Sequence, residues 1–267
     1  MRFELHCHST CSDGTEPATR VAERAAERQV AVFALTDHDT CDGSGVTVPG
    51  ARNLRGVELS CDDNGRTIHV LAYERSGCDW QPILDKLGGL RIARANRLRV
   101  MAARLAQRGI KLDIEALVAE STRRSVGRPD LARAMVAAGI SSSMKDAFTR
   151  HLFDHGPVDV PHQGLSIIDA LTAGREANAA MSLAHPHLYD QQGVRLLRLH
   201  RTAGLTGVEA YYGQYDGRER ARWITLADEL GLTCTGGSDW HGPEEARVIP
   251  GVDLPDDRSD RLIAWLS

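Results

Sequence analysis

The strongest constraint in this chain is a recurring unit, a short apolar run that ends in residues able to bind a cation. Phe3-Glu4-Leu5 runs into His6-Cys7-His8 and then Ser12-Asp13-Gly14. After a helical stretch from Glu16 to Gln29, Ala31-Val32-Phe33-Ala34-Leu35 runs into Thr36-Asp37-His38-Asp39-Thr40. Residues two apart on a strand point the same way, so His6 and His8 can converge on one ion. The Ser12-Asp13-Gly14 turn can fold a carboxylate back toward the strand end. In the helical stretch Pro17 suits the first turn, and Val21, Ala22, Ala25 and Ala26 form an apolar side. Strand, helix, strand, with polar residues at both strand C-terminal ends, is the pattern of a parallel barrel, whose active sites gather at that face. Each piece alone also has a plain structural reading. H-x-H is short, and a lone histidine after a strand, such as His38, is more often a cap or turn residue than a ligand.

Downstream, residues able to bind a cation also stand inside apolar runs. Leu54-Arg55-Gly56-Val57-Glu58-Leu59-Ser60 places a carboxylate in an apolar strand. A buried carboxylate needs a partner, and a metal is a good one. Thr67-Ile68-His69-Val70-Leu71-Ala72-Tyr73 does the same with a histidine. Beside Glu58, one strand back, His69 gains weight as a ligand. From residue 82 to 164 the strand-like runs give way to alanine- and arginine-rich helical stretches, such as Ile92 to Arg108 and Pro129 to Ala138. Strands return at Ala180 to His187, at Gly207 to Tyr212 and at Leu232 to Gly242, with a helix over Glu219 to Leu230. Asp239 and His241, two apart, repeat the geometry of His6 and His8. Gly236 and Gly237 would let the backbone pass close to a bound ligand. Pro250 to Ser267 reads as a loop and a closing helix.

Charge is unevenly spread. Lys86 to Arg150 holds fourteen basic and five acidic residues, while the whole chain of 267 residues has a net charge of −4. Most of these charges belong to a solvated helical surface. An acidic body under a basic helical cover nevertheless suits an anionic substrate. With 42% hydrophobic and 25% charged residues the composition is that of an ordinary globular protein. No apolar run is long enough for a membrane span. The start, Met-Arg-Phe-Glu-Leu-His, has no apolar signal region, so a cytoplasmic location is expected. The six cysteines form no C-x-x-C pair and read as reduced, mostly buried thiols. Cys7 and Cys11 lie beside the histidines, but the carboxylates nearby point to a harder, oxygen-rich site.

The ordered set His6-x-His8, Ser12-Asp13-Gly14, Thr36-Asp37-His38-Asp39, Glu58, Ile68-His69, Ala184-His185-Pro186 and Gly237-Ser238-Asp239-x-His241 resembles the PHP (polymerase and histidinol phosphatase) family of metal-dependent phosphoesterases. The resemblance spans nearly the whole chain. It is nearest to the subgroup of phosphatases acting on AMP and on 3′,5′-bisphosphates, with a related 5′→3′ exonuclease. That subgroup carries an Asn-Arg and a Gly-Arg-Pro-His motif, here Asn96-Arg97 and Gly127-Arg128-Pro129-Asp130.

The resemblance implies an α/β fold, a distorted (β/α)7 barrel. Residues 1–81 and 165–267 would form the barrel and carry the metal site, and residues 82–164 a basic helical insertion covering it. It implies three divalent ions, manganese first, with zinc, iron or magnesium as alternatives. His6, His8, Glu58 and Asp239 would hold one. Glu58 would bridge to a second, held with His69 and His185. Asp13, His38 and His241 would hold the third. Asp239, His241 and Glu58 would be the catalytic residues, Asp37 and Asp39 would orient His38 and its neighbours, and Arg128 and Arg97 would grip substrate phosphate. Clustered divalent ions lower the pKa of a bridging water, and the hydroxide would hydrolyse a phosphomonoester of a small metabolite, nucleotides first.

Two departures bear on the substrate. Asp130 stands where the subgroup has histidine, and Tyr212 where it often has histidine in Tyr-His-Pro. The alternatives are therefore a 5′→3′ exonuclease on short oligonucleotides, a phosphatase of a sugar phosphate or other metabolite, a hydrolase of a non-phosphate bond, or a metal-stabilised binding module without turnover. The expected partner is a small phosphorylated substrate, with neither a membrane nor a stable nucleic-acid complex. The sequence leaves the oligomeric state open.

Overall fold

The computed structural model describes residues 1–267 apart from Asp154, His162, Gln163 and residues 245–247. Among the described residues the chain runs β1 (Arg2–Glu4), α1 (Ala18–Glu27), β2 (Val32–Leu35), β3 (Arg52–Asp63) and β4 (Arg66–Tyr73). A helical segment follows with α2 (Gln81–Gln107), α3 (Glu115–Ala119), α4 (Arg128–Ala137) and α5 (Met144–Arg150). The chain then returns to β5 (Leu165–Ser166), α6 (Ile167–Glu176), β6 (Ala180–Leu183), α7 (Gln191–His200), β7 (Leu205–Tyr212), α8 (Gly217–Leu230), β8 (Thr233–Gly237), β9 (Val252–Asp253) and α9 (Asp256–Trp265). No helix among the described residues is long and apolar enough to cross a membrane.

The strands form one sheet in the order β8-β7-β6-β4-β3-β2-β1-β9, with β5 beside β3. Past their last paired residues, β8 and β1 meet. The Asp239 N–H donates to the His6 carbonyl at 2.7 Å, and the His8 N–H to the Trp240 carbonyl at 2.8 Å. The result is a distorted, nearly closed barrel, as expected. Its distortion has a local cause. Asn64 and Gly65, both at positive φ (56° and 83°), make a two-residue turn that folds β4 antiparallel onto β3. β4 then pairs antiparallel with β6 as well. The β1–β2, β6–β7 and β7–β8 pairs stay parallel, each joined by a helix.

Gly236 and Gly237 have a different purpose from the expected one. A Cβ at Gly237 would collide with the His6 backbone, and one at Gly236 with Tyr211. Their bareness makes room for the chain itself where the barrel closes, not for a ligand.

The long helix α2 links two apolar clusters. Ile83, Leu87 and Leu90 join the barrel core with Trp223, Tyr73 and Leu71. Leu98, Met101 and Leu105, further along, pack with Val118, Leu131, Met135 and Ala147 of the helical segment. The helix starts at Gln81, earlier than the Ile92 stretch suggests. Pro82 sits in its first turn, where a missing N–H costs nothing. The tail adds a short strand, β9, that pairs antiparallel with β1 before α9 closes the fold.

Candidate metal centre

Six strands deliver side chains to one end of the barrel. His6 and His8 follow β1, and Asp13 lies on the loop beyond. His38 follows β2 and bridges to Glu58 on β3. His69 lies on β4, His185 follows β6, and Asp239 and His241 follow β8. The nine candidate ligands come together in four overlapping sets of facing donor atoms, described below by the three expected ligand groups.

In the first group, His6 Nε2 and His8 Nε2 each lie 3.2 Å from Glu58 Oε2 and 3.2 Å from Asp239 Oδ1. In the second, Glu58 Oε1 lies 3.1 Å from His69 Nδ1 and 3.0 Å from His185 Nε2, and the two ring nitrogens are 3.2 Å apart. Separations of this size are the edges of a coordination shell with bonds of about 2.0–2.2 Å. The third group is wider. Asp13 Oδ1 is 3.4 Å from His241 Nε2 and 3.7 Å from His8 Nδ1, and Asp13 Oδ2 is 3.6 Å from His38 Nε2.

These residues fit divalent ions on their own chemistry. His6 Nε2, His8 Nε2, His38 Nδ1 and Glu58 Oε2 are buried and make no hydrogen bond. Four orphaned polar atoms facing one another cost several kcal/mol in total unless something binds them. No cysteine joins the groups among the described residues, and the Cys7 thiol turns away to the Ala34 carbonyl at 3.7 Å. The backbone is also held under strain here. Asp39, His185 and Asp239 take positive φ (52°, 26° and 56°), which costs a non-glycine residue on the order of 1 kcal/mol each.

Supporting contacts fix the rings. His6 Nδ1 lies 2.9 and 3.0 Å from the two oxygens of Glu209, which also accepts the His185 N–H at 2.7 Å. His241 Nδ1 donates to the Asp239 carbonyl at 2.9 Å. The Tyr189 hydroxyl lies 3.3 Å from His185 Nδ1 and accepts the His69 N–H at 2.9 Å. The Tyr212 hydroxyl donates to Asp239 Oδ2 at 2.9 Å, so the tyrosine at the departing position braces a candidate ligand. Glu4, fully buried, accepts from the His6 N–H and from the Ser238 N–H and hydroxyl, tying β1 to the loop after β8.

The two aspartates flanking His38 act elsewhere. Asp37 accepts from the Ser9 N–H and hydroxyl and from the Ser12 hydroxyl, so it shapes the loop that carries Asp13. Asp39 accepts the Ser60 N–H at 2.7 Å and pairs with Arg94. Arg94, buried and not foreseen, also reaches the Ser60 hydroxyl at 2.7 Å. Asp130 does not line the cleft; it accepts the Gly127 N–H at the start of α4.

Glu209 is the most consequential unforeseen residue. Replacing it with glutamine is expected to lower manganese affinity about 10- to 100-fold with the fold intact, because the carboxylate sets the tautomer that points His6 Nε2 into the site. Calorimetric titration of the variant checks this, and wild-type affinity would remove Glu209 from the role.

The charges prepare the rings unequally. Burial would push the His8 imidazolium down, and His241 acts in the same sense. The Asp239 and Glu58 carboxylates, each 3.2 Å from its Nε2, outweigh both and raise it to about 9. Burial is likewise overcome for His241 by Asp13 and Asp239, raising it to about 10. His6 is raised well above the usual range by Glu209, Glu58 and Asp239 against burial. Burial keeps His38 and His69 low and neutral. A metal takes only neutral rings, so manganese binding at pH 7 is expected to release about three protons. Titration in buffers of different ionisation enthalpy measures that number, and a value near zero would contradict these ring states. In the metal-free chain, the stability from His8 and His241 is fully present below about pH 6.5, the unfolded value. It is lost as pH rises through about 9 to 10.

Beside the centre lies a cavity of about 360 Å³ between the barrel and the helical segment, lined by Asp13, His38, His69 and His185 on one side and by Arg94, Arg97 and Arg128 on the other. Arg97 donates from Nε to the Val160 carbonyl at 2.5 Å and from Nη2 to Asp159 at 3.4 Å. Burial, then Arg128 and Arg94, lower it to about 10, so it stays charged at neutral pH. Arg128 Nη1 is 3.9 Å from Asp159, and its guanidinium stands 6.0 Å from the Phe148 ring centre.

No family model matches the chain. It is 32% identical over 266 residues to the 3′,5′-nucleoside bisphosphate phosphatase of Chromobacterium violaceum, covering 95% of this chain and 92% of that one. It is 32% identical over 257 residues to the phosphoribosyl 1,2-cyclic phosphate 1,2-diphosphodiesterase of Eggerthella lenta, covering 91% and 95%. It is 31% identical over 255 residues to a 5′-3′ exoribonuclease of Haemophilus influenzae, covering 91% and 90%. Among solved structures, a Bifidobacterium adolescentis chain assigned as a metal-dependent phosphoesterase superposes with a TM-score of 0.82 at 28% identity, covering 99% and 96%. An amidohydrolase from Chromobacterium violaceum with bound sulfate gives 0.85 at 29%, covering 98% and 96%. Barrel, clustered donors and relatives together define a metal-dependent hydrolase of phosphoric esters, dependent on divalent ions. The chain belongs to the PHP family of metal-dependent phosphoesterases.

Proposed function

We propose that this phosphoesterase removes a phosphomonoester from a small nucleotide of the AMP or 3′,5′-bisphosphate type. The observation that carries the reading is one cleft lined by Asp13, His38, His69 and His185, four of the nine clustered metal-type donors, and by three arginines. We take the site to hold three ions in the groups described, with manganese the preferred metal, and residues 82–164 to be the cover that supplies the arginines. Bound there, the divalent ions supply hydroxide at neutral pH and neutralise phosphate oxygens.

The chain's own residues do the rest. Glu58 and Asp239 place their carboxylate oxygens between the histidine pairs, and His241 presents Nε2 beside Asp13. Arg128 would hold a phosphate of the substrate, with Arg97 fixed behind it by Val160 and Asp159 and adding charge. Small, cytoplasmic, phosphorylated metabolites are the substrates this cleft suits.

The likeness to exoribonucleases favours a second reading, stepwise removal of 5′ nucleotides from short RNA. A panel assay separates the two. Manganese-loaded protein is given AMP, a nucleoside 3′,5′-bisphosphate, a cyclic phosphate, a sugar phosphate and a pentanucleotide, and phosphate and products are measured. Highest kcat/KM on a nucleotide monoester supports the proposal, and preference for the pentanucleotide would replace it.

A further inference from the structure

We infer that Asp130, Arg124 and Arg133 form a clamp through which the helical segment positions Asp13 and sets how well the corner of Asp13, His38 and His241 binds its ion. This rests on the three-ion reading above. Asp130, the third residue of α4, is buried and accepts from the Gly127 N–H at 2.8 Å, from Arg124 Nη1 at 2.9 Å and from Arg133 Nη1 at 3.0 Å. Both arginines reach on to the loop after β1. Arg124 Nη1 donates to the Ser12 carbonyl at 2.9 Å, and Arg133 Nη2 donates to the Asp13 carbonyl. The Ser125 N–H donates to the Cys11 carbonyl at 2.8 Å. Three consecutive carbonyls of the loop are thus held by donors from the helical segment.

Asp13 needs this support more than the other candidate ligands do. Glu58 and His69 sit within paired strands, and His6, His8, His185 and Asp239 directly follow strands. Asp13 lies several residues out on a loop, and its donor separations of 3.4–3.7 Å are the widest of the three groups. Asp37 braces the loop from the barrel side through Ser9 and Ser12. The clamp braces it from the other. The Asp130 carboxylate is what lets two guanidiniums stand together there. Without it they would repel, and the carbonyls of Ser12 and Asp13 would lose oriented donors. Asp130 is therefore a positioning residue that acts through Asp13. Arg128 opens the same helix two residues earlier and faces the cleft, so α4 carries both the substrate arginine and the loop support.

The test uses the full chain and three variants, Asp130→Asn, Arg133→Gln and Arg133→Lys. Amide hydrogen exchange is followed in metal-free protein, and manganese is titrated by calorimetry. In Asp130→Asn and Arg133→Gln, exchange across residues 9–14 is expected to rise about tenfold or more while β6 and β7 keep their protection. The weakest manganese site is expected to lose about tenfold in affinity, with the tighter sites within twofold. Arg133→Lys, which keeps one donor, should recover part of both effects. If Asp130→Asn unfolds the barrel, the two Arg133 variants decide alone. Unchanged exchange at residues 9–14 with unchanged weakest-site affinity overturns the clamp, and so does an equal loss at every site. A wild-type chain that binds fewer than three ions, yet shows the rise at residues 9–14 in the variants, keeps the clamp and contradicts the three-ion reading.

Discussion

Asp239→Asn is expected to lower kcat by about three orders of magnitude or more, a loss of roughly 4 kcal/mol in transition-state stabilisation. Asp239 Oδ1 stands 3.2 Å from both His6 Nε2 and His8 Nε2, and Tyr212 holds Oδ2. An amide there can keep the Tyr212 contact, but it brings no charge to the ion and pairs poorly with two ring nitrogens. Burial raises the carboxyl, yet His6 and His241 hold it well below the usual carboxylate range, so it is ionised at every working pH. His8→Ala removes the facing donor and is expected to fall by a similar factor. Steady-state kinetics with manganese in excess checks both. Near-normal turnover in either variant would contradict the proposed chemistry.

Arg128→Ala is expected to lower kcat/KM by about 30- to 1000-fold, or roughly 2–4 kcal/mol, on every good substrate. The side chain lines the cleft wall opposite the donors and lies on the helical segment, outside the three donor groups. Metal content should stay at the wild-type value. Arg97→Ala should behave differently. Its guanidinium is committed to Val160 and Asp159, so its loss disturbs the packing of the segment as well as the charge of the cleft. Kinetics beside elemental analysis distinguishes the cases. An Arg128→Ala enzyme with unaltered kcat/KM has no substrate arginine at that position, and one that loses its metals assigns Arg128 to structure.

The candidate site is legible in the sequence because metal-type donors stand two apart at strand ends or interrupt apolar strands. His6 and His8, or Asp239 and His241, stand two apart at strand ends, and Glu58 and His69 interrupt apolar strands. The structure brings all of them to one end of the barrel. The same logic applied to Glu209 in Val208-Glu209-Ala210 would have singled it out, since a fully buried carboxylate demands partners. Arg94 was hidden for the opposite reason. On a helix crowded with arginines, one that turns inward to Asp39 looks like any solvated charge.

Asp130 shows the limit of motif matching. The motif placed the residue in the chain, but the carboxylate turns to Gly127, Arg124 and Arg133 instead of the cleft. The antiparallel β3–β4 hairpin had a local signal in Asn64-Gly65, which the barrel pattern overshadowed. The short pairing of β9 with β1 had none, because two residues carry no periodicity.

The proposed chemistry requires three ions held by nine side chains beside one cleft. Anomalous diffraction at the manganese edge, from crystals of the manganese-loaded protein, tests it most directly. Three peaks are expected, one within bonding distance of His6, His8, Glu58 and Asp239, one of Glu58, His69 and His185, and one of Asp13, His38 and His241. Fewer than three peaks at full activity, or peaks bound by other side chains, would contradict it.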